Sequence, residues 1–312
     1  MITTDLDRFL ALARACAPDF GPATARAAFL VTPEGFARAE ESAQDNRYMA
    51  AAGYHAEAAL AEHRALQRAL SADLPVFAFP GDPATPDAVF PNNVFAIARP
   101  DAQVLPQAPP RLLVGRMRHA VRQAEAVRAD IRGFFRDTAG AVEIDLSQQP
   151  HPCELTGSLV IDRARGLGFC GLSERCDEAG AALMHEAFGL RATLLFDLAA
   201  GEYHTNVVLA VLAGRAVLVS PAGFAEPAVA QAIAGLYAPH AVLLEPHQQA
   251  AFAANAIALS PQRVWMSAVA AASLDPARVQ ALARAGFELG QVPLAAIEAG
   301  GGSLRCCVAE VF

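Results

Sequence analysis

The chain has 312 residues, of which 54% are hydrophobic and 18% charged, with a formal net charge of −8. That length supports a sizeable buried core, the apolar fraction excludes disorder, and an acidic balance without a basic stripe excludes nucleic acid and anionic membrane as partners. All 24 basic residues are arginine, so a pyridoxal phosphate Schiff base, a lysine-type aldolase step, a P-loop lysine and a kinase-strand lysine are all excluded.

The opening "MITTDLDRFLALARACAPDF" carries acids ahead of its apolar run, where a secretory leader would need basic residues. Residues 1–26 read as an N-terminal extension, an added helix ahead of the first strand. "AAFLVT" and "PVFAFP" read as strands around a helical pattern over 42–70, and "AVFPNNVFAIA", "RLLVG" and "AVEIDL" follow with a helical pattern over 116–135. "SLVID" and "GLGFCGLS" flank "DRARG", a hairpin turn, and lead to a helix over 174–188 and the strand "ATLLFDL". The same order returns in "NVVLAVL", the turn "AGR", "RAVLVS", a helix over 226–236 and "AVLLEP". Helices over 248–259 and 276–285 alternate with "RVWMS", "FELGQVPL" and the terminal "RCCVAEVF". Hairpin pairs each followed by a helix predict a repeated α+β unit, and no Pro/Gly/Ser linker divides residues 1–312 into separate domains. The longest apolar run, "VVLAVLA", is too short to cross a bilayer. Six cysteines with no CxxC fit a reducing cytoplasm.

Several motifs carry less than they suggest. "GLGFCG" at 166–171 matches G-x-G-x-x-G, but its apolar residues continue as strand and no helix begins within the glycines, as a dinucleotide site requires. "HEAFG" lacks the second histidine of HExxH, and "HPCELT" lacks the P-C-x-x-C of a zinc deaminase. His55 and His63 lie two turns apart on a predicted helix, where exposed histidines are common. No metal site is indicated.

Cysteine chemistry remains. A thiolate nucleophile needs a histidine to manage protons and a third group to hold that histidine. His204 in "EYHTNVVLAVL" stands at the mouth of a strongly apolar strand, and the carboxylates Asp87 and Glu154 also precede apolar strands. The final stretch, "AGGGSLRCCVAEVF", sets three glycines before Cys306 and Cys307.

"PDAVFPNN", "ELTGSLVIDR", "EYHTN" and "GGGSLRC" occur in the order found in the guanidino-group-modifying, or pentein, enzymes. Over residues 27–312 the chain resembles the amidinotransferase-like branch that includes citrulline hydrolases, and more distantly arginine deiminase and dimethylarginine dimethylaminohydrolase. The resemblance implies a five-bladed α/β propeller of ββαβ units with the site at its central pore. It implies Cys306 as nucleophile, attacking the planar carbon of a guanidino or ureido group to give an S-linked intermediate. His204 is then the acid and base, Glu154 its partner, and no metal or organic cofactor is needed. Cys307, next along the expected strand, would face the other way.

Asp87, Asn92, Asn93, Asn206 and Arg305 are the implied substrate-binding residues, and Arg47, Arg163 and Arg305 the candidate partners of a substrate carboxylate. Val94 stands where relatives more often carry an aromatic residue, and Leu155 where they carry glycine. Guanidine-specific relatives place carboxylates at the positions of Asn93 and Asn206. Amides both donate and accept, so the resemblance favours a neutral, citrulline-like ureido substrate. Arginine deiminase or dimethylarginine dimethylaminohydrolase activity is the alternative, followed by an amidinotransferase or a non-catalytic binding propeller.

Overall fold

Short apolar strands joined by hairpin turns resolve into one pairing rule used repeatedly. In the computed structural model, which describes residues 1–312, β1 (Ile2–Thr3), β2 (Ala27–Val31) and β3 (Val76–Phe79) precede β4 (Phe95–Ala98), β5 (Arg111–Val114) and β6 (Val142–Asp145). Then come β7 (Leu159–Asp162), β8 (Leu167–Leu172) and β9 (Ala192–Asp197), followed by β10 (Leu209–Leu212), β11 (Ala216–Val219) and β12 (Ala241–Leu243). β13 (Arg263–Ser267), β14 (Glu288–Val292) and β15 (Ala309–Val311) complete the order. In the triplets β4–β6, β7–β9 and β10–β12 the first two strands are antiparallel and the third is parallel to the second. The rule extends to β13 and β14, with Ile257 bridging antiparallel to Trp265, and to β15, which is antiparallel to β2, itself parallel to β3. The two ends of the chain therefore share one unit.

The result is a mixed α/β fold with the repeated unit expected from the sequence. Its strands form four separate sheets of four, three, two and six strands, and none closes on itself. The pairing thus does not describe the five-bladed closure implied by the resemblance. No helix is long and apolar enough to cross a membrane.

Local chemistry explains the elements. The β10–β11 hairpin turns through Ala213 at φ +47° and Gly214 at φ +66°, the left-handed pair that matches the twist of the flanking strands. The helix Glu178–Phe188 begins where the Asp177 side chain accepts from Gly180 N and ends at left-handed Gly189. The helix Ala56–Leu70 buries Ala59, His63, Leu66 and Leu70 on one stripe against the inner face of β2. Burying each leucine there contributes roughly 2 kcal/mol. His63 belongs to this buried stripe and is not exposed, contrary to the sequence expectation.

Three helical expectations shorten. Of 42–70, only Ala56–Leu70 is a regular α-helix; 33–55 is largely irregular, and its polar residues Ser42, Asp45 and Asn46 bond to other segments. Of 116–135, broken helical segments form, Ala120–Gln123 and Ala129–Gly133 with the latter continuing to Thr138, and of 248–259, only the helix Pro246–Ala250, after which the chain reverses through left-handed Phe252 at φ +61°. Residues 1–26 are more than an added helix, since β1 pairs parallel to β9 and Phe9 packs edge-on against Phe169 at 5.6 Å.

Candidate active site

Each repeated unit presents a turn just before its first strand, and these turns are stitched together. Thr156 Oγ1 donates to the Asn92 carbonyl at 3.0 Å, and Asn206 Nδ2 donates to the Thr156 carbonyl at 3.1 Å. Asn255 Nδ2 donates to the Asn206 carbonyl at 3.0 Å, and Cys306 N donates to Asn255 Oδ1 at 3.3 Å. This chain of bonds brings together residues more than two hundred positions apart in sequence.

Glu154 lies just before the helical turn Leu155–Ser158, and His204 just before the turn Thr205–Val208. Leu155 adopts φ +24°, a left-handed conformation that glycine accepts more readily. His204 Nε2 and Glu154 Oε2 are 2.8 Å apart, and both side chains are fully buried. Glu154 also accepts from Arg118 N at 2.9 Å and from Arg175 Nη1 at 3.2 Å. Burial alone would raise its pKa, but the Arg175 charge and the His204 hydrogen bond outweigh it and hold the carboxyl well below its usual range.

An ionised Glu154 can only accept, so His204 carries its proton on Nε2 and leaves Nδ1 as a bare base. Burial lowers the His204 pKa despite Glu154, which keeps the ring neutral. Nδ1 has no hydrogen-bond partner, and a Cβ added at Gly157 would stand 2.9 Å from it. His204 shares a cavity with Cys306, Asp87, Asn93, Arg122 and Arg175.

Cys306 occupies the 3-10 turn Leu304–Cys307, not the extended strand expected for this segment. The separation of the two cysteines therefore comes from turn geometry, about 120° per residue, and not from strand alternation. Cys306 Sγ receives Asn255 Nδ2 at 3.3 Å and lies 3.8 Å from Asn206 Oδ1. Cys307 is fully buried, does not line the cavity that His204 and Cys306 share, and places its Sγ 3.5 Å from the Ser303 carbonyl. Burial raises the pKa of both thiols, that of Cys307 much further, so the resting Cys306 is a thiol.

Asp87 accepts from Ser42 Oγ at 2.6 Å through Oδ2 and leaves Oδ1 without a partner. Burial raises its pKa and Arg122 opposes the rise. Asn93 Oδ1 is likewise buried and unpartnered. Asn92 meets Thr156 Oγ1 at 3.4 Å and supports the turn from outside the cavity lining. Asn206 gives one N–H to the Thr156 carbonyl. Arg305 does not face the Cys306 cavity: it pairs with Glu310 at 2.9 Å and lines a separate cavity with Arg163. Arg47 pairs with Glu202.

The cationic residues at the Cys306 cavity are instead Arg122 and Arg175, which sequence reasoning missed. Arg122 gives Nε and Nη2 to Glu125 and to the Asp87 and Phe90 carbonyls, leaving Nη1 uncommitted. Arg175 bridges Asp45 and Glu154. With arginine serving as the sole basic residue type, nothing in the sequence distinguishes these two from the other 22. Asn255 was missed as well, because it lies in a segment read as helix.

A family model described as N,N dimethylarginine dimethylhydrolase, eukaryotic, matches residues 32–312. No curated protein matches the chain in sequence. Among solved structures, the N-terminal domain of ArgZ, an arginine dihydrolase from the ornithine-ammonia cycle in cyanobacteria, superposes with TM-score 0.77 at 18% identity, covering 91% of this chain and 97% of that one. Unliganded AgrE gives 0.76 at 18% identity over 92% of this chain, which spans only 39% of AgrE. A histidine-to-glycine variant of dimethylarginine dimethylaminohydrolase, as its adduct with S-methyl-L-thiocitrulline, gives 0.67 at 19% identity over 92% of this chain and 99% of that one. With a family model spanning nearly its whole length and a fold shared with these enzymes, the chain belongs to the N,N-dimethylarginine dimethylhydrolase family, hydrolases of guanidino C–N bonds within the pentein superfamily.

Proposed function

We propose that the protein is a cofactor-free cysteine hydrolase that cleaves a C–N bond of a guanidino amino acid through an S-linked intermediate. The observation that carries this reading is the bare His204 Nδ1, set by ionised Glu154, on the same cavity as Cys306. In the first step the Cys306 thiol proton passes to Nδ1 and sulfur adds to the central carbon. His204 then returns that proton to the departing nitrogen, which leaves as ammonia or an amine. Water attacks the amidino-cysteine adduct, Nδ1 takes its proton, and the C–S bond breaks to regenerate the thiol. Raised in the empty site, the Cys306 pKa falls when a cationic substrate arrives.

Substrate recognition follows from the unpartnered atoms. Asp87 Oδ1 and Asn93 Oδ1 are acceptors, and a guanidinium offers only N–H donors. Arg122 and Arg175 supply positive charge for the substrate carboxylate. The ureido reading keeps one support, the amide at Asn93 in place of an acid. It loses the other, because Asn206 gives one N–H to the Thr156 carbonyl and does not line the cavity of His204 and Cys306. Arginine or a methylarginine is therefore the favoured substrate, and citrulline the second reading. The five stitched turns support a propeller arrangement of the whole chain as one catalytic domain, and six free cysteines support a reducing compartment.

The test is release of ammonia or methylamines from a panel of arginine, methylated arginines, citrulline and agmatine, by wild type and Cys306→Ala. Turnover of a guanidino substrate that Cys306→Ala abolishes is expected. Citrulline preferred tenfold or more would install the ureido reading, and silence across the panel would favour a binding protein.

A further inference from the structure

We propose that Asn255 is the positioning residue of the nucleophile, holding Cys306 at two points and stabilising its thiolate when it forms. This rests on the assignment of Cys306 as the attacking group.

Asn255 is fully buried and makes an unusual set of contacts. Its Nδ2 donates to Cys306 Sγ at 3.3 Å and to the Asn206 carbonyl at 3.0 Å, while its Oδ1 accepts from Cys306 N at 3.3 Å. Its own carbonyl accepts from Arg305 N, also at 3.3 Å. One amide thus fixes both the backbone and the sulfur of the same residue, which sets the direction of the Cα–Cβ–Sγ arm. The backbone reversal at left-handed Phe252, with Asn255 N bonded to the Phe252 carbonyl at 2.8 Å, presents the amide inward.

The chemistry at sulfur is asymmetric. In the resting thiol, S–H faces Asn206 Oδ1 at 3.8 Å and the sulfur receives Asn255 N–H. Once the proton has left for His204, Asn206 Oδ1 offers the thiolate nothing, whereas the Asn255 N–H becomes a charge-assisted donor. His204 then holds that proton as an imidazolium, Arg122 is turned to Glu125 and two carbonyls, and Asn255 Nδ2 is the side-chain donor already in contact with the sulfur. Leucine would match its branching but could make neither contact, and aspartate would match its shape with acceptor oxygens only.

The experiment compares wild type, Asn255→Asp and Asn255→Ser for thermal stability, kcat and KM, and for the pH dependence of Cys306 alkylation by iodoacetamide, mapped by mass spectrometry. In Asn255→Asp the alkylation midpoint should rise by about one pH unit or more and kcat should fall about tenfold or more. KM should stay within a few-fold, and Asn255→Ser, which keeps a donor, should recover part of both losses. A wild-type alkylation profile in the folded Asp variant overturns the proposal, as does failure of both variants to fold, which would make Asn255 structural. The alkylation profile reports on Asn255 even if turnover does not depend on Cys306. Activity surviving in Cys306→Ala would instead remove the proposed function.

Discussion

At the scale of single residues, the two adjacent cysteines pose the sharpest contrast, since Cys306 lines the cavity and Cys307 does not. A haloacetamidine should label Cys306 and leave Cys307 untouched, as peptide mapping by mass spectrometry will show. Glu154 is argued to hold His204 in the tautomer with Nδ1 bare. Glu154→Gln keeps the shape but can present its NH₂ to Nε2, which invites the wrong tautomer. Turnover should fall by roughly two orders of magnitude or more, with the circular dichroism spectrum retained. His63 offers a test of stability in place of catalysis. Burial, opposed by Glu34, pushes its pKa down to about 4, and neither ring nitrogen has a side-chain partner. With a folded value below the unfolded one, the unfolded state binds the extra proton. Stability should therefore be constant above the unfolded pKa, fall as pH drops through the window down to about 4, and level off below it. The expected loss is of order 3 kcal/mol. Urea melts of His63→Leu across that range should show this dependence largely removed.

At the scale of elements, the helical turns before each strand carry the site, and their shapes depend on what fits between them. Gly157 shows this. A Cβ there would lie 2.5 Å from Asn93 Oδ1 and 2.8 Å from His204 Cε1, closer than real contacts allow. Gly157→Ala should displace the imidazole and cut kcat by about a hundredfold, the scale expected when a catalytic group moves by an ångström. Steady-state kinetics beside an unfolding curve will separate this from loss of fold. These turns were only partly legible in the sequence. "PNN", "ELTG" and "YHTN" stood out because polar residues open apolar strands, while "FAANAI" did not, because Asn255 sits among alanines that read as helix. The 3-10 turn at Cys306 was likewise hidden, since "RCCVAEVF" has the composition of a strand throughout.

At the scale of the whole molecule, strands from both ends of the chain complete one unit, and the first strand and helix seal another. Phe9 is fully buried against the sheet that carries β7, β8 and β9. Phe9→Ala should cost about 3–5 kcal/mol by leaving a cavity in that cluster. Urea denaturation will measure it, and KM should not change, because no residue of 1–26 lines the Cys306 cavity.

Sequence alone determined the repeated alternation of hairpin and helix, because side-chain periodicity and turn residues act over a few positions. It also nominated Cys306, His204 and Glu154, because four motifs in order marked the chain's resemblance. What only the tertiary structure decided was which arginines face the cavity, which amides are free, and which thiol is held. Arg122 and Arg175 reach the site while Arg305 turns to Glu310, and Asn206 is tied to a carbonyl while Asn93 Oδ1 stays open. Those outcomes depend on where partners from distant segments happen to lie. A residue type fixes what a side chain can bond, but only packing fixes which partner it finds.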